Sequence, residues 1–446
     1  MKSISIFGTS SDAGKSTLTF VIARLLQERG INVGVFKAQN VSNNSRVCDD
    51  GSEIAIAQYV QAEVLGIPTS YHLNPILLKS GHGNSASLIV KGKALIDKEV
   101  RDYYRDLDTL KPAVDECFEY LSAQYECLVC EGAGSPVELN LMDKDLSNLY
   151  IAEKYNTKII LVADIEKGGV FASIWGVYNL LPEQLRANII GVIINKFRGD
   201  RSLFDEGVKI IEERFGIPVL GVLPYLPLNL GFEDSQSLKN FVQNKPHPVK
   251  KIGIINYPTM SNYNDFEPLI ADETIFVEFI TSNVSLESFD VIILPGSKRV
   301  IEDLRWLKKT GLFEALQHRS KEILGICGGY QMMFREIIDE GCVETAEPSC
   351  EKALGFIDDV IVFQRDKVLK KGKYDIFGTT LYGFEIHHGV SEKYPLYYEK
   401  AHIKGTFVHG LFEDAAFEAY KKKTMDAFID TMRDEIDTER ILADVL

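Results

Sequence analysis

The sequence predicts an α/β chain folded as two units, each built on a parallel sheet covered by helices. Three observations carry that expectation: strand-length apolar runs recur along the chain, helix-length segments separate them, and a polar stretch with two prolines divides them into two series. Apolar runs without polar alternation are the habit of strands buried on both faces, as in parallel sheets.

The first series is SISIFG, NVGVFK, ECLVCEG, KIILVAD, NIIGVIIN and PVLGVLPY; the second is KIGIINYP, IFVEFI, DVIILPG and EILGICGG. Between them QNKPHPVK sets a boundary at about 244–250, giving expected domains over residues 1–245 and 251–446. A length of 446 residues suits that division. The formal net charge of −15 argues against nucleic acid or an anionic membrane as partner. No apolar run reaches the ~18 residues of a membrane span and the first residues open a strand rather than a signal peptide, so a cytoplasmic protein is expected. The seven cysteines are too few and too irregular for a disulfide framework. Cys127 and Cys130 lie within a buried-strand pattern, with no further ligands to complete a zinc set, and read as structural thiols.

After the strand SISIF comes GTSSDAGKST, followed by TFVIARLLQERG, whose apolar spacing and terminal Gly30 describe a helix with its stop. Strand, glycine loop and helix in this order form a P-loop. Its backbone N–H groups cradle phosphate, Lys15 reaches the terminal phosphates of a nucleotide, and the Ser16 hydroxyl ligates Mg²⁺. Gly8, Thr9, Asp12, Gly14, Lys15, Ser16 and Thr17 are the candidate phosphate contacts. Five residues, rather than the usual four, separate Gly8 from Gly14, so Thr9 takes the usual first-glycine position. The competing reading, a chance Gly-Lys-Ser turn, requires neither the strand nor the helix.

EGAGSP follows the strand ending at Cys130 and sets Glu131 at the carboxyl edge of the sheet, where ligands bind in open α/β folds and a carboxylate can hold a metal. Its plainer reading is a strand-end acid beside a glycine turn. Lys37, at the end of NVGVF, is by itself most simply a solvated lysine.

In the second series, EILGICGGYQMMF sets Cys327 between an apolar strand and an apolar-periodic helix, with Gly328 and Gly329 next. This is a nucleophile elbow with sulfur in place of oxygen. The turn exposes the sulfur, the helix N-terminus favours the thiolate, and the Gly328 N–H is an oxyanion donor. Gly296 in DVIILPGSK offers a second donor. The base must be a histidine from elsewhere: His387 and His388 in GFEIHHG are candidates, and His409, between an apolar strand and Gly410, is favoured. A cysteine between strand and helix is usually only buried; the two glycines and the downstream His-Gly favour catalysis.

Taken together, these residues resemble the glutamine-hydrolysing cobyric acid synthases. The resemblance runs through GTSSDAGKS, FKAQNVSNNS, DGSEIAIAQ, LNPILLK, EGAGSPVELNL, VADIEKGGVFAS, NKFRGD and GVLPYLP, then PTMSNYNDFEPL, LPGSK, GICGGYQMM, GFEIHHG and HGLF, nearly the whole chain. It implies a dethiobiotin-synthetase-like P-loop domain joined to a class I glutamine amidotransferase domain, and that P-loop branch shares the longer loop. It also implies ATP and Mg²⁺, with Asp50 beside Ser16 and Glu131 at the metal. Asn195 resembles the adenine-reading position, and Lys37 matches a lysine beside the reacting carboxylate and phosphate. Cys327 looks like the nucleophile and His409 its base. The usual acidic partner two residues after that histidine is replaced by Leu411, which leaves Glu385 or a backbone carbonyl to orient the imidazole. SGHGNSAS at 80–87 departs from the family pattern in lacking an acid, and the segment from Gly389 to HGLF is short.

The reaction so implied uses glutamine as nitrogen donor and a corrinoid acid as acceptor, amidating the b, d, e and g carboxylates of adenosylcobyrinic a,c-diamide. A cobyrinic acid a,c-diamide synthase shares the chemistry, but FKAQNVSNNS and NPILLK favour the former. A partition-type P-loop ATPase would carry an extra lysine early in the loop, where Thr9, Ser10 and Ser11 stand, and has no use for a cysteine elbow. No pattern sets the oligomeric state, the ammonia route or the order of amidations.

Overall fold

The computed structural model describes residues 3–80, 85–95, 98–99, 107–226, 243, 245–246, 248–282 and 285–445. The departure at 80–87 therefore lies partly outside the described residues. In the first half, six strands form one parallel sheet: β1 (Ile4–Gly8), β2 (Val33–Phe36), β3 (Cys127–Glu131), β4 (Lys158–Asp164), β5 (Ile189–Phe197) and β6 (Val219–Pro224), in the order β6-β5-β4-β1-β3-β2. Each matches one apolar run of the first series. Helices cover both faces, so the strands have no wet side and need no alternation. Burial pushes the Cys127 thiol up to about 12, as befits a packing group.

The second half repeats the plan: β7 (Lys250–Ile255), β8 (Ile275–Ile280), β9 (Val291–Leu294) and β10 (Glu322–Ile326) are parallel in the order β8-β7-β9-β10. The sheet continues through β12 (Ile403–Thr406), parallel to β10, and ends on antiparallel β11 (Tyr397–Lys400). A long hairpin, Ile357–Ile376 with Thr379–Val390, stands beside it, and its second strand pairs with Val408–His409.

Two expectations change. The division at 244–250 assigns everything after 251 to the second unit, yet the last two helices, Ala415–Arg433 and Thr438–Val445, pack Phe417, Phe428, Ile429, Met432, Ile441 and Leu442 into the first core with Leu18, Ile22 and Leu26. Their apolar stripes are legible in sequence, but a stripe does not say which sheet it covers. The helix after Cys327 is one turn, Gly328–Gln331, because the carbonyls of Met332 and Met333 accept from Leu354 and Ile357 and the chain departs as the strand Phe334–Asp339. So short a helix lends little dipole to the sulfur.

Among the described residues no helix is long and apolar enough to cross a membrane.

Candidate active site

The loop after β1 folds tightly round its own backbone. Gly14 sits at φ 99°, and a Cβ there would lie 2.2 Å from Asn195 Nδ2. Asn195, on β5, donates through Nδ2 to the Ala13 carbonyl at 2.9 Å and accepts from the Lys196 N–H. Its amide thus buttresses the loop, a role the expected adenine contact did not include. Thr9 N–H donates to Val162 O, while Asp12 is exposed at φ 58°. Lys15, at the head of the helix Lys15–Glu28, is buried, and its Nζ donates to Ser10 O at 3.2 Å, folding over the loop backbone.

Sheet order sets the next group. β3 lies beside β1 with Glu131 in register with Ile6, which carries the carboxylate to the loop. Glu131 is buried, and its Oε1 accepts from Ser16 Oγ at 2.6 Å and Lys37 Nζ at 2.5 Å. Its Oε2 accepts from Gln58 at 3.0 Å and Gln61 at 2.7 Å, both on the helix Ile56–Leu65. A buried carboxylate so fully paired is held in place rather than merely tolerated. Lys37 is therefore no solvated lysine. Gln58 and Gln61 were missed in the sequence, although two polar residues three apart in IAQYVQ, amid apolar neighbours, mark one helix face.

The residues present fit a nucleotide with Mg²⁺: glycines leave a cradle that a Cβ would fill, lysines face it, and a hydroxyl touching a carboxylate offers the hard oxygen donors that ion prefers. Asp50 is not brought into this group. It is exposed in the turn between Ser45–Val47 and Glu53–Ala55, where it accepts from Ser52 N–H at 2.9 Å and from the Ser52 hydroxyl, because a short hairpin carries its tip away from its base. Among the described residues no three His, Cys, Asp or Glu side chains gather as a metal cluster.

In the second half, Cys327 stands between β10 and its one-turn helix at φ 49°, ψ −106°, a conformation costly for any residue with a Cβ. The neighbouring glycines are what permit the elbow. A Cβ on Gly329 would lie 1.9 Å from the Leu294 carbonyl, and one on Gly328 would lie 2.6 Å from Ser297 N. The Cys327 sulfur lies 3.6 Å from Ile386 O and near enough to His409 to act on its charge. His409 is fully buried. Its Nδ1 lies 2.6 Å from Asp265 Oδ2, and the other Asp265 oxygen accepts from Gly410 N–H at 3.0 Å. Burial works against charge on His409, but Asp265 and the sulfur more than offset it and raise the imidazole to about 10. Gly296 faces the same ring: a Cβ there would stand 3.2 Å from His409 Cε1.

The orienting acid is thus Asp265, and neither Glu385 nor a backbone carbonyl. Glu385 lies 3.3 Å from His387 Nε2, and His387 and Glu385 pair with each other instead. Strand alternation decides this, since Glu385 and His387 are two apart on one strand and point the same way. Asp265 was legible only as part of NYNDF; a buried aspartate in so aromatic a run was the available signal. His388 Nδ1 faces Gln364 O, away from Cys327.

The chain thus carries a buried acid, imidazole and sulfur in one half and a phosphate loop in the other. Residues 4–229 match the CobQ/CobB/MinD/ParA nucleotide binding domain, and residues 251–417 the CobB/CobQ-like glutamine amidotransferase domain. The chain is 63% identical over 459 residues to the cobyric acid synthase of Acinetobacter baylyi, covering 99% of each.

The chain belongs to the cobyric acid synthase family.

More distant relatives agree: the probable cobyric acid synthase of Methanoculleus marisnigri is 40% identical over 92% of this chain and 87% of its own, and the cobyric acid synthase of Nostoc punctiforme 39% over 93% and 85%. The family's amidotransferase match stops at residue 417, just inside the helix that returns to the first core.

Proposed function

We propose that this chain joins glutamine hydrolysis at Cys327 to ATP-driven amidation of a corrinoid acid, converting the b, d, e and g carboxylates of adenosylcobyrinic a,c-diamide to amides. The observation that carries the reading is the buried His409–Asp265 pair, with Cys327 buried on the adjoining elbow, in a chain whose other half presents Lys15 and a Ser16–Glu131 pair at a phosphate loop.

In this scheme the proton of the Cys327–His409 pair rests on His409, whose protonated form Asp265 favours, and Cys327 Sγ attacks the side-chain carbonyl of glutamine. His409 retains that proton until the departing nitrogen takes it, and ammonia leaves as the glutamyl thioester forms. In this reading the N–H groups of Gly328 and Gly296 receive the transient oxyanion. Water, deprotonated by the same imidazole, then releases glutamate. In the other half a carboxylate oxygen of the acid attacks the γ-phosphorus of ATP, ADP departs, and ammonia displaces phosphate from the resulting acyl phosphate. Lys15 and Lys37 face the charge that builds on the phosphoryl oxygens. Ser16 and Glu131 would hold Mg²⁺, which supplies charge neutralisation when bound.

Mass spectrometry of the product from the corrinoid diamide, ATP, Mg²⁺ and glutamine tests the reading. One acid-to-amide step for each of the b, d, e and g side chains supports it; glutamine hydrolysis with an unchanged corrinoid refutes the acceptor. Amidation confined to the a and c carboxylates of the unamidated acid would favour the diamide synthase instead.

A further inference from the structure

His409 is held from both sides, and one hold originates in the nucleotide half. Asn262 is buried at φ 53°, a left-handed conformation for a residue with a side chain. Its Nδ2 lies 3.3 Å from His409 Nε2, the nitrogen opposite the one that meets Asp265. Its carbonyl accepts from the Asp265 N–H at 3.1 Å and so anchors the short turn Tyr263–Phe266, which carries that aspartate. Asn262 therefore touches one side of the imidazole directly and sets the other through Asp265.

What fixes Asn262 is the first half of the chain. Its side-chain oxygen accepts from the Ser45 N–H at 3.1 Å, and its own N–H donates to the Asn44 side-chain oxygen at 2.7 Å. The Asn44 carbonyl accepts from Ile56 N–H, at the start of the helix Ile56–Leu65. That helix also carries Gln58 and Gln61, which hold Glu131 Oε2, while Glu131 Oε1 meets Ser16 and Lys37 at the phosphate loop. Gln58 further accepts from Asn40 at 2.8 Å, on the strand leading to Asn44. Gln58, Gln61, Asn44 and Ser45 are all buried, so water does not compete for these bonds.

We propose that Asn262 is a positioning residue through which the phosphate site governs the glutaminase: engagement of Glu131 and Ser16 by nucleotide shifts the helix Ile56–Leu65 and the Asn44–Ser45 segment, and Asn262 passes the shift to His409. The physical advantage is that glutamine is spent only when an acyl acceptor is being made. The link consists of discrete hydrogen bonds between rigid elements, a form of coupling that single substitutions can cut.

The inference rests on the proposed function, and the experiment separates the two. Glutamate release from glutamine is measured with and without ATP, Mg²⁺ and the corrinoid diamide, in the wild type and in Asn44→Ala and Asn262→Ala. The wild type is expected to be stimulated ~10-fold, within the usual range of coupling between sites. Asn44→Ala is expected to bring the ratio close to unity through kcat, with KM for glutamine unchanged and synthesis from ammonium salts retained, which also shows that both halves are folded. Asn262→Ala is expected to lose the same ratio. A wild type without stimulation, or either variant retaining the full ratio, overturns the inference. A wild type that releases no glutamate at all overturns the proposed function instead.

Discussion

Asp265 and His409 stand 144 residues apart in the chain and meet at 2.6 Å between Oδ2 and Nδ1, both buried. Asp265→Asn keeps the shape but removes the anion that favours the imidazolium. Glutamine-dependent synthesis is expected to fall ~10²–10⁴-fold, as when the acid of a triad is neutralised, with ammonia-dependent synthesis unchanged. Parallel assays of the variant with glutamine and with ammonium salts check this.

The same pair makes stability depend on pH. His409 is raised from 6.5 to about 10 in the fold, so its protonated form is the one the fold favours. The resulting stabilisation is fully present below about pH 6.5 and fades as pH rises toward 10. The destabilisation caused by Asp265→Asn is therefore expected to be largest near pH 6 and to shrink toward pH 10. Urea midpoints of both proteins across that range measure it; a constant difference would refute the linkage.

Cys327→Ala is expected to abolish glutamate release and glutamine-dependent amidation, a loss of ~10³-fold or more, while leaving ammonia-driven amidation in place. Comparing the two nitrogen sources distinguishes a catalytic sulfur from a structural one.

Glu131→Gln leaves Lys37 buried without its anion, which costs ~3–5 kcal/mol where a buried pair is broken. A lower melting temperature is expected, together with loss of synthesis from either nitrogen source. Calorimetry and ADP release report the two effects separately.

Gly14→Ala forces a side chain into φ 99° and against Asn195. ATP affinity is expected to drop ~10-fold, since about 1–2 kcal/mol of backbone strain adds to the clash. Adding Asn195→Ala removes the clash but not the strain, so titration calorimetry should find the double variant less impaired than the sum of the singles.

The phosphate loop, the cysteine elbow and the ten strands of the two apolar series were legible because each is written within about a dozen consecutive residues, and local sterics and burial suffice to read it. Lys37 and Glu131 were legible as strand ends, but their contact follows from β3 lying next to β2. Asp265, Asn262 and the glutamines at 58 and 61 carry no local signature of their roles.

By itself, the sequence determined where strands begin, where the glycine loop follows the first strand and which sulfur stands on a glycine elbow, because glycine, proline and apolar periodicity act over one turn or one strand. Only the tertiary structure decided which acid holds His409, which sheet the helix Ala415–Arg433 covers, and that Asn44 reaches across to Asn262. Those choices depend on the order of strands in each sheet and on the docking of the two halves. Polar partners distant in the chain are selected by three-dimensional proximity in a dry interior, where a buried donor or acceptor must find whichever group the fold brings near.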